Sequence, residues 1–197
     1  MVKLFSNKEL ATCLEINPAR WKRWSREFLP PDPLAGRQSG YARQYYLNDA
    51  FTVFFGGHLV GALRLAIPEA RRVLSDLDDW LRKNGYRFDP GGGRSGPLAG
   101  DAAAAEHSIT AYPSPAGGFH YQIRQILHKE ASTENGATMC RVTYHESWLQ
   151  SDDGVVPDMT APIVIAISLI LDKFLSAVDP QGHQFPRLHR HVVKCVS

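Results

Sequence analysis

An α+β fold in two parts is the expectation. Three observations carry it. Apolar residues recur with a helical period through the first part of the chain. A stretch dense in glycine and proline, "DPGGGRSGPLAG" at residues 89–100, interrupts that pattern. Beyond it, apolar and polar residues alternate with period two. Residues 1–88 therefore read as one helical domain and 119–197 as a small αβ domain. Residues 89–118 join them as a flexible linker, with "YPSPAGG" at 112–118 as a second breaker cluster. The "DAAAAEHSI" between the clusters is expected to form one helical turn at most.

In the first domain, Ser6 and Glu9 have the spacing of a capping box, so a helix should start there and end near Glu15. Its apolar face holds Leu10, Ala11 and Leu14. Asn17-Pro18 opens the next helix, with Asn17 as cap and Pro18 at the first helical position. Pro30-Pro31 must follow its end. "LAGRQSGYARQYY", residues 34–46, has glycines for turns and tyrosines for strands, which predicts a short hairpin. "NDAFTVFFGGHLVGALRLA" should be helical in part, interrupted at Gly56-Gly57. "PEARRVLSDLDDWLRKNG", residues 68–85, predicts one helix, with acids early, bases late and Gly85 as its stop. Val73, Leu77, Trp80 and Leu81 form its apolar face.

In the second domain, "FHYQIRQIL" and "TMCRVTYHESW" alternate on either side of Asn135-Gly136, a turn signal that favours a β-hairpin. A helix over residues 119–130 competes, because Phe119, Ile123, Ile126 and Leu127 also fit a 3.6-residue period. "TAPIVIAISLILDKFLSAV" predicts a helix capped by Thr160, with Pro162 in its first turn. It is apolar nearly all round, which calls for burial on most sides or for a subunit interface.

The chain has 197 residues, 44% of them hydrophobic and 21% charged, as in globular domains. Its longest apolar run, residues 163–171, is far short of the roughly 20 residues a membrane-spanning helix needs. The opening "MVKLFSNKEL" lacks a signal peptide's apolar region, so a cytoplasmic protein is expected. Cys13, Cys140 and Cys195 are widely spaced and suggest neither a disulfide framework nor a metal site. The net charge is +2, unevenly spread: residues 1–72 carry +5 and the remainder −3. A basic first part suggests an anionic partner for it.

"NPARWKRWSREFLPP", residues 17–31, sharpens that suggestion. On a helical wheel Trp21, Trp24 and Phe28 fall within an arc of about 60°. Arg20, Lys22, Arg23 and Arg26 occupy a broad arc on the other side. A second helix with an apolar inner face and a basic outer face, close after a capped first helix, is the helix-turn-helix layout. Its outer face suits the major groove, where Lys and Arg reach guanine edges or phosphates. Arg37, Tyr41, Arg43, Tyr45 and Tyr46 interleave bases and aromatics on the expected hairpin, which could hold phosphates beside the groove.

"FSNKELATCLEINPARWKRWSREFLPP", "GRQSGYARQYYLNDA" and "HLVGALRLAIPEARRVL" occur in the order found in MerR-type winged-helix regulators. Residues 4–83 resemble that family's DNA-binding module; residues 100–197 do not take part. The resemblance implies a winged helix-turn-helix, with Lys22 and Arg23 at DNA-contacting positions of the recognition helix. It implies Arg43 as the wing arginine, with Tyr41 beside the backbone. Trp21 would replace a core leucine and Trp24 a partly buried aromatic. Two features depart from the family. Glu15 stands where a turn glycine is usual, and the long dimerisation helix is missing. Dimerisation would then fall to the C-terminal domain, with residues 163–178 as the leading candidate.

No phosphate-binding loop, nucleophile elbow or H-E-x-x-H motif occurs. His183, His189, His191 and Cys195 match no standard metal spacing, and His120, His128 and His145 fit exposed strand positions. No catalytic set is defensible, so no enzyme, cofactor or metal is expected. The expected function is sequence-specific double-stranded DNA binding as a bacterial-type transcription regulator. It would act as a homodimer on a near-palindromic operator, with or without a small-molecule effector. Arg20, Lys22, Arg23 and Arg26 would serve the groove, and Arg37, Tyr41 and Arg43 the phosphates. Two alternatives stand: an excisionase-like or phage or plasmid DNA-architectural protein, and an interaction module without nucleic acid.

Overall fold

The computed structural model describes residues 3–32, 42–89, 93–95, 106–115, 117–134, 137–149 and 161–182; of residues 94–95, 128–134 and 137–141 it describes the backbone. Arg37, Tyr41, the Asn135-Gly136 turn, Thr160 and the histidines of the tail lie outside these residues. The fold is α+β, with six helices and a four-stranded antiparallel sheet among the described residues. Two compact units divide the chain: Met1–Leu98 with Ile170–Arg187, and Ala99–Leu169 with Leu188–Ser197.

The first unit begins with strand β1 (Phe5–Ser6) and helix α1 (Asn7–Cys13). The capping box forms: Ser6 N–H donates to Glu9 Oε2 at 2.7 Å, and Glu9 N–H donates to Ser6 Oγ at 3.2 Å. The backbone bond from Ser6 holds the Glu9 carboxyl below its ordinary pKa. Helix α1 closes in a Schellman turn. Ile16 N–H donates to Ala11 O at 2.9 Å and Glu15 N–H to Thr12 O at 3.2 Å, with Glu15 at φ +54°. Glu15 thus adopts the left-handed conformation that glycine takes without strain. The turn is the glycine type with a glutamate in it.

Helix α2 (Pro18–Phe28) starts where Asn17 Oδ1 accepts from Ala19 N–H at 2.9 Å and Arg20 N–H at 3.3 Å. The expected hairpin over residues 34–46 falls mostly outside the described residues. Its described part, β2 (Gln44–Tyr45), pairs antiparallel with β1, Phe5 opposite Tyr45. Helix α3 (Leu47–Gly61) runs unbroken through Gly56-Gly57, where an interruption was expected. The glycines keep helical geometry because aromatic rings from α2 occupy the space their side chains would fill. The helix expected over residues 68–85 is two: α4 (Ile67–Asp76) and α5 (Asp78–Lys83), separated at the buried Leu77. Gly85, at φ +74°, ends α5, and Tyr86 N–H reaches back to Leu81 O at 2.8 Å.

Strands β3 (Arg87–Phe88) and β4 (Arg94–Ser95) form a small antiparallel pair. Arg87 is buried, and its guanidinium is met by Asp78 and by Thr52 Oγ1, which tie β3 to α5 and α3. The core of the unit gathers Leu10, Trp21, Tyr45, Phe51, Phe55, Leu59, Leu77 and Leu81, all essentially without solvent contact. Phe51 stacks on Phe55 at 6.0 Å and meets Phe174 at 5.4 Å.

The second unit holds β5 (Glu106–Pro113), β6 (Phe119–Glu134), β7 (Ala137–Leu149) and β8 (Ile163–Ile165), in the spatial order β7-β6-β5-β8. Strands β6 and β7 form the expected hairpin, which rules out a helix over residues 119–130. Residues 101–109 were read as one helical turn at most, within a linker over 89–118; residues 106–113 instead form a central strand. Its alternation of buried His107, Ile109 and Ala111 with less buried Glu106, Ser108 and Thr110 explains why. Residues 163–165 were expected to be helical and instead form β8 against β5. The β-branched run Ile163-Val164-Ile165 suits a strand. Helix α6 (Ile167–Val178) follows, and the division between the units falls between its Leu169 and Ile170. Ser168 Oγ accepts from His107 N–H at 2.8 Å. No helix among the described residues is long and apolar enough to cross a membrane.

Two outcomes follow from this framework. Glu15→Gly should raise stability by about 0.5–1 kcal/mol in urea unfolding. The left-handed strain of about 1–2 kcal/mol is relieved, and glycine's extra chain entropy returns part of it. A loss of stability would contradict the turn. His58, half-buried on α3, has its pKa lowered by burial and then by Lys173. The unfolded chain binds the proton more readily, so stability present above the ordinary 6.5 is lost as the pH falls below it. His58→Gln should flatten that fall in unfolding midpoint; an unchanged pH profile would contradict it.

Candidate nucleic-acid interface

Helix α2 separates its residues by chemistry. Trp21 and Ser25 are buried, and Trp24 and Phe28 are half-buried; Arg20, Lys22, Arg23 and Arg26 are exposed. The face assigned to each side chain by the wheel is the face it occupies.

Each apolar residue has a definite seat. Trp21 is 0% exposed and meets Tyr45 edge-on at 5.8 Å. Trp24 lies on Gly57 of α3, where an added Cβ would come within 2.2 Å of Trp24 Cε3. Phe28 lies on Gly56 in the same way, at 2.6 Å from Cδ2. Any side chain at either glycine would force the helices apart. The tryptophans are therefore structural anchors, and their rings are unavailable for stacking on bases.

Polar contacts fix the helix further. Tyr45 OH donates to Asn7 Oδ1 at 2.6 Å and lies 2.9 Å from Ser25 Oγ, joining α1, α2 and β2 through one hydroxyl. At the C-terminal end, Arg43 NH1 donates to Pro30 O at 3.0 Å, and its guanidinium lies 5.7 Å from the Tyr45 ring centroid. Arg71 on α4 donates from Nε to Glu27 O at 2.8 Å and pairs with the Glu27 carboxylate.

The basic face contrasts with four arginines elsewhere in the unit. Arg71, Arg72, Arg82 and Arg87 each pair with an acid. Among the described residues, Arg20, Lys22, Arg23 and Arg26 form no salt bridge. Arg20 rests over the Trp24 ring at 5.9 Å, on the border between the two faces. The result is an uncompensated positive strip along one exposed side of a rigidly held helix. Of the remaining expected contact residues, Arg43 is half-buried at the end of α2, while Arg37 and Tyr41 lie outside the described residues.

A groove of 550 Å³ is lined by Glu27, Phe28, Leu29, Thr52, Arg71 and Asp78, among others. Glu27 is engaged by Arg71, and Asp78 by Arg82 and Arg87, so these carboxylates are committed to ion pairs. Among the described residues, no group of three or more His, Cys, Asp or Glu side chains is placed to hold a metal ion. The Cys13 thiol is half-buried, and burial pushes its pKa up, away from reactivity. Sequence reasoning missed the seat provided by Gly56 and Gly57, because its partner rings lie some thirty residues upstream. It also missed the Tyr45–Ser25–Asn7 junction, for which no local spacing signal exists.

In comparisons with protein-family descriptions, curated proteins and solved structures, the chain matches none of them.

The division of α2 predicts opposite consequences for adjacent residues. Trp21→Ala should cost about 3–5 kcal/mol in urea unfolding, as for other buried large-to-small changes. Lys22→Ala should change stability by no more than about 0.5 kcal/mol. Equal effects from the two substitutions would contradict the assignment of faces.

Proposed function

We propose that this chain binds double-stranded DNA through α2, as a winged helix-turn-helix transcription regulator of the MerR type. The observation that carries this reading is the unpaired cation strip Arg20, Lys22, Arg23 and Arg26 on a helix whose aromatic side is seated in the protein. Arg71, Arg72, Arg82 and Arg87 are neutralised by carboxylates, which leaves this strip as the cluster of cations a polyanion would meet. The capped α1, the tight left-handed turn at Glu15 and the capped α2 support a helix-turn-helix. The family resemblance supports Lys22 and Arg23 as groove-reading residues. Arg26 and Arg20 would clamp phosphates, and Arg37, Tyr41 and Arg43 would hold the backbone beside the groove. A twofold pair of such helices would meet a near-palindromic operator.

The test is fluorescence anisotropy with a mixed-sequence duplex across a range of salt. Binding should weaken linearly in log–log form, with a slope near −0.9 for each phosphate neutralised. Arg20→Ala/Arg26→Ala should reduce that slope by roughly 2 while leaving the unfolding midpoint in place. Salt-independent retention, or a double variant that binds as wild type, would overturn the proposal.

A further inference from the structure

We infer that the open face of the β7-β6-β5-β8 sheet is the surface on which a second copy of this chain docks. The inference rests on the proposed twofold reading for its biological use, and on the sheet alone for its physical basis.

Cross-strand register divides the sheet into two faces. On one face Ile109 pairs with Ile123 and Ile165, and Ala111 pairs with Tyr121. These residues are between 0% and 4% exposed, so that face is the interior one. On the other face Thr110 lies opposite Gln122 and Val164, Gln122 opposite Trp148, Arg124 opposite Glu146, and Ile126 opposite Tyr144. There Val164 is 57% exposed, Tyr144 45% and Trp148 43%. Trp148 leans on Tyr112 at 5.6 Å, and Arg124 lies over the Tyr144 ring at 4.3 Å. Beside these open apolar side chains the face carries the part-buried Thr110, Gln122 and Ile126 and the Arg124–Glu146 pair.

Its extent suits an interface. Strands β5, β6 and β7, about 4.8 Å apart and paired over roughly six to eight residues, with the three-residue β8 beside β5, project roughly 400 Å². That is about half of the roughly 800 Å² per partner of a standard interface, the scale of a small, reversible one. Exposed apolar patches of this order mark interaction sites. The helix favoured for dimerisation on sequence grounds is already committed. Ile170, Leu171, Phe174, Leu175 and Val178 of α6 are buried within the single chain.

Charge selects the occupant. Arg124 donates from Nε and NH2 to Glu146 Oε1, at 2.9 and 2.7 Å. That pair is neutral, and Glu106 stands at the end of the same face, opposite Ile126. The face therefore offers no net positive charge to a phosphate backbone, which disfavours a nucleic-acid strand. The Arg124–Glu146 pair, one charge of each sign, is complementary to its own copy, because Arg124 can approach the partner's Glu146 while its own pair persists.

Sedimentation velocity at micromolar concentration tests this with two charge reversals. Wild type should sediment as a dimer. Arg124→Glu puts two acids, and Glu146→Arg two bases, where the ion pair stood, so each variant should self-associate at least about tenfold more weakly. Mixed in equal amounts, the two variants should form a heterodimer. An intrachain defect could not be rescued by mixing. Trp148→Ser should also shift wild type toward monomer with an unchanged circular dichroism spectrum. Monomeric wild type, variants that dimerise as wild type, or a mixture no better than its components would overturn the inference. Monomeric wild type that retains an oligothymidylate, with retention lost in Trp148→Ser, would overturn it in favour of a stacking surface for single strands. Salt-dependent duplex binding through α2 should survive in every variant; its absence from wild type would instead refute the reading of α2.

Discussion

The close approach of α2 to α3 is the constraint on which the first unit depends. Trp24 and Phe28 lie directly against Gly57 and Gly56, closer than any Cβ would allow. Each interior glycine costs about 1 kcal/mol against alanine in helix propensity. Burying a large apolar side chain contributes about 1.5–3 kcal/mol, so two half-buried rings offset the pair. The contact fixes the rotation of α2 about its own axis. Once the rings point at α3, the helical period leaves Lys22, Arg23 and Arg26 no direction but outward.

The remaining contacts of α2 reinforce that rotation. Trp21 closes the core beneath it, and the Tyr45 hydroxyl links it to α1. Arg43 and Arg71 bind carbonyls near its C-terminal end. A helix held at its centre, its inner face and its last turn presents its charges in a defined array. A helix already fixed in place loses little backbone freedom when its cations meet a polyanion. The anchoring of the tryptophans and the exposure of the bases are therefore one physical arrangement.

The sequence made the local features legible. The capping box at Ser6 and Glu9, the Asn17-Pro18 start and the two faces of α2 all follow from spacings within one helix. The β6–β7 hairpin followed from alternation. Features set by distant partners were hidden. Gly56-Gly57 looked like a break because glycine is a poor helix former, and nothing nearby reveals the rings that require it. Strand β5 was hidden by breaker residues on both sides, and β8 by its continuity with the apolar run of α6. The left-handed Glu15 was visible only as a mismatch with a glycine position. The open face of the sheet was not foreseen. Which face would be covered depended on pairing with β5 and β8, and neither strand was foreseen.

The central claim is that the glycines of α3 exist for the rings of α2, and a double-mutant cycle in urea unfolding tests it most directly. With Trp24 present, Gly57→Ala should destabilise by about 1–3 kcal/mol, because overpacking outweighs the gain in helix propensity. With Trp24→Ala as background, the same Gly57→Ala change should instead stabilise by up to about 1 kcal/mol, the propensity gain alone. That reversal of sign is the predicted result. The same effect of Gly57→Ala in both backgrounds would contradict the account.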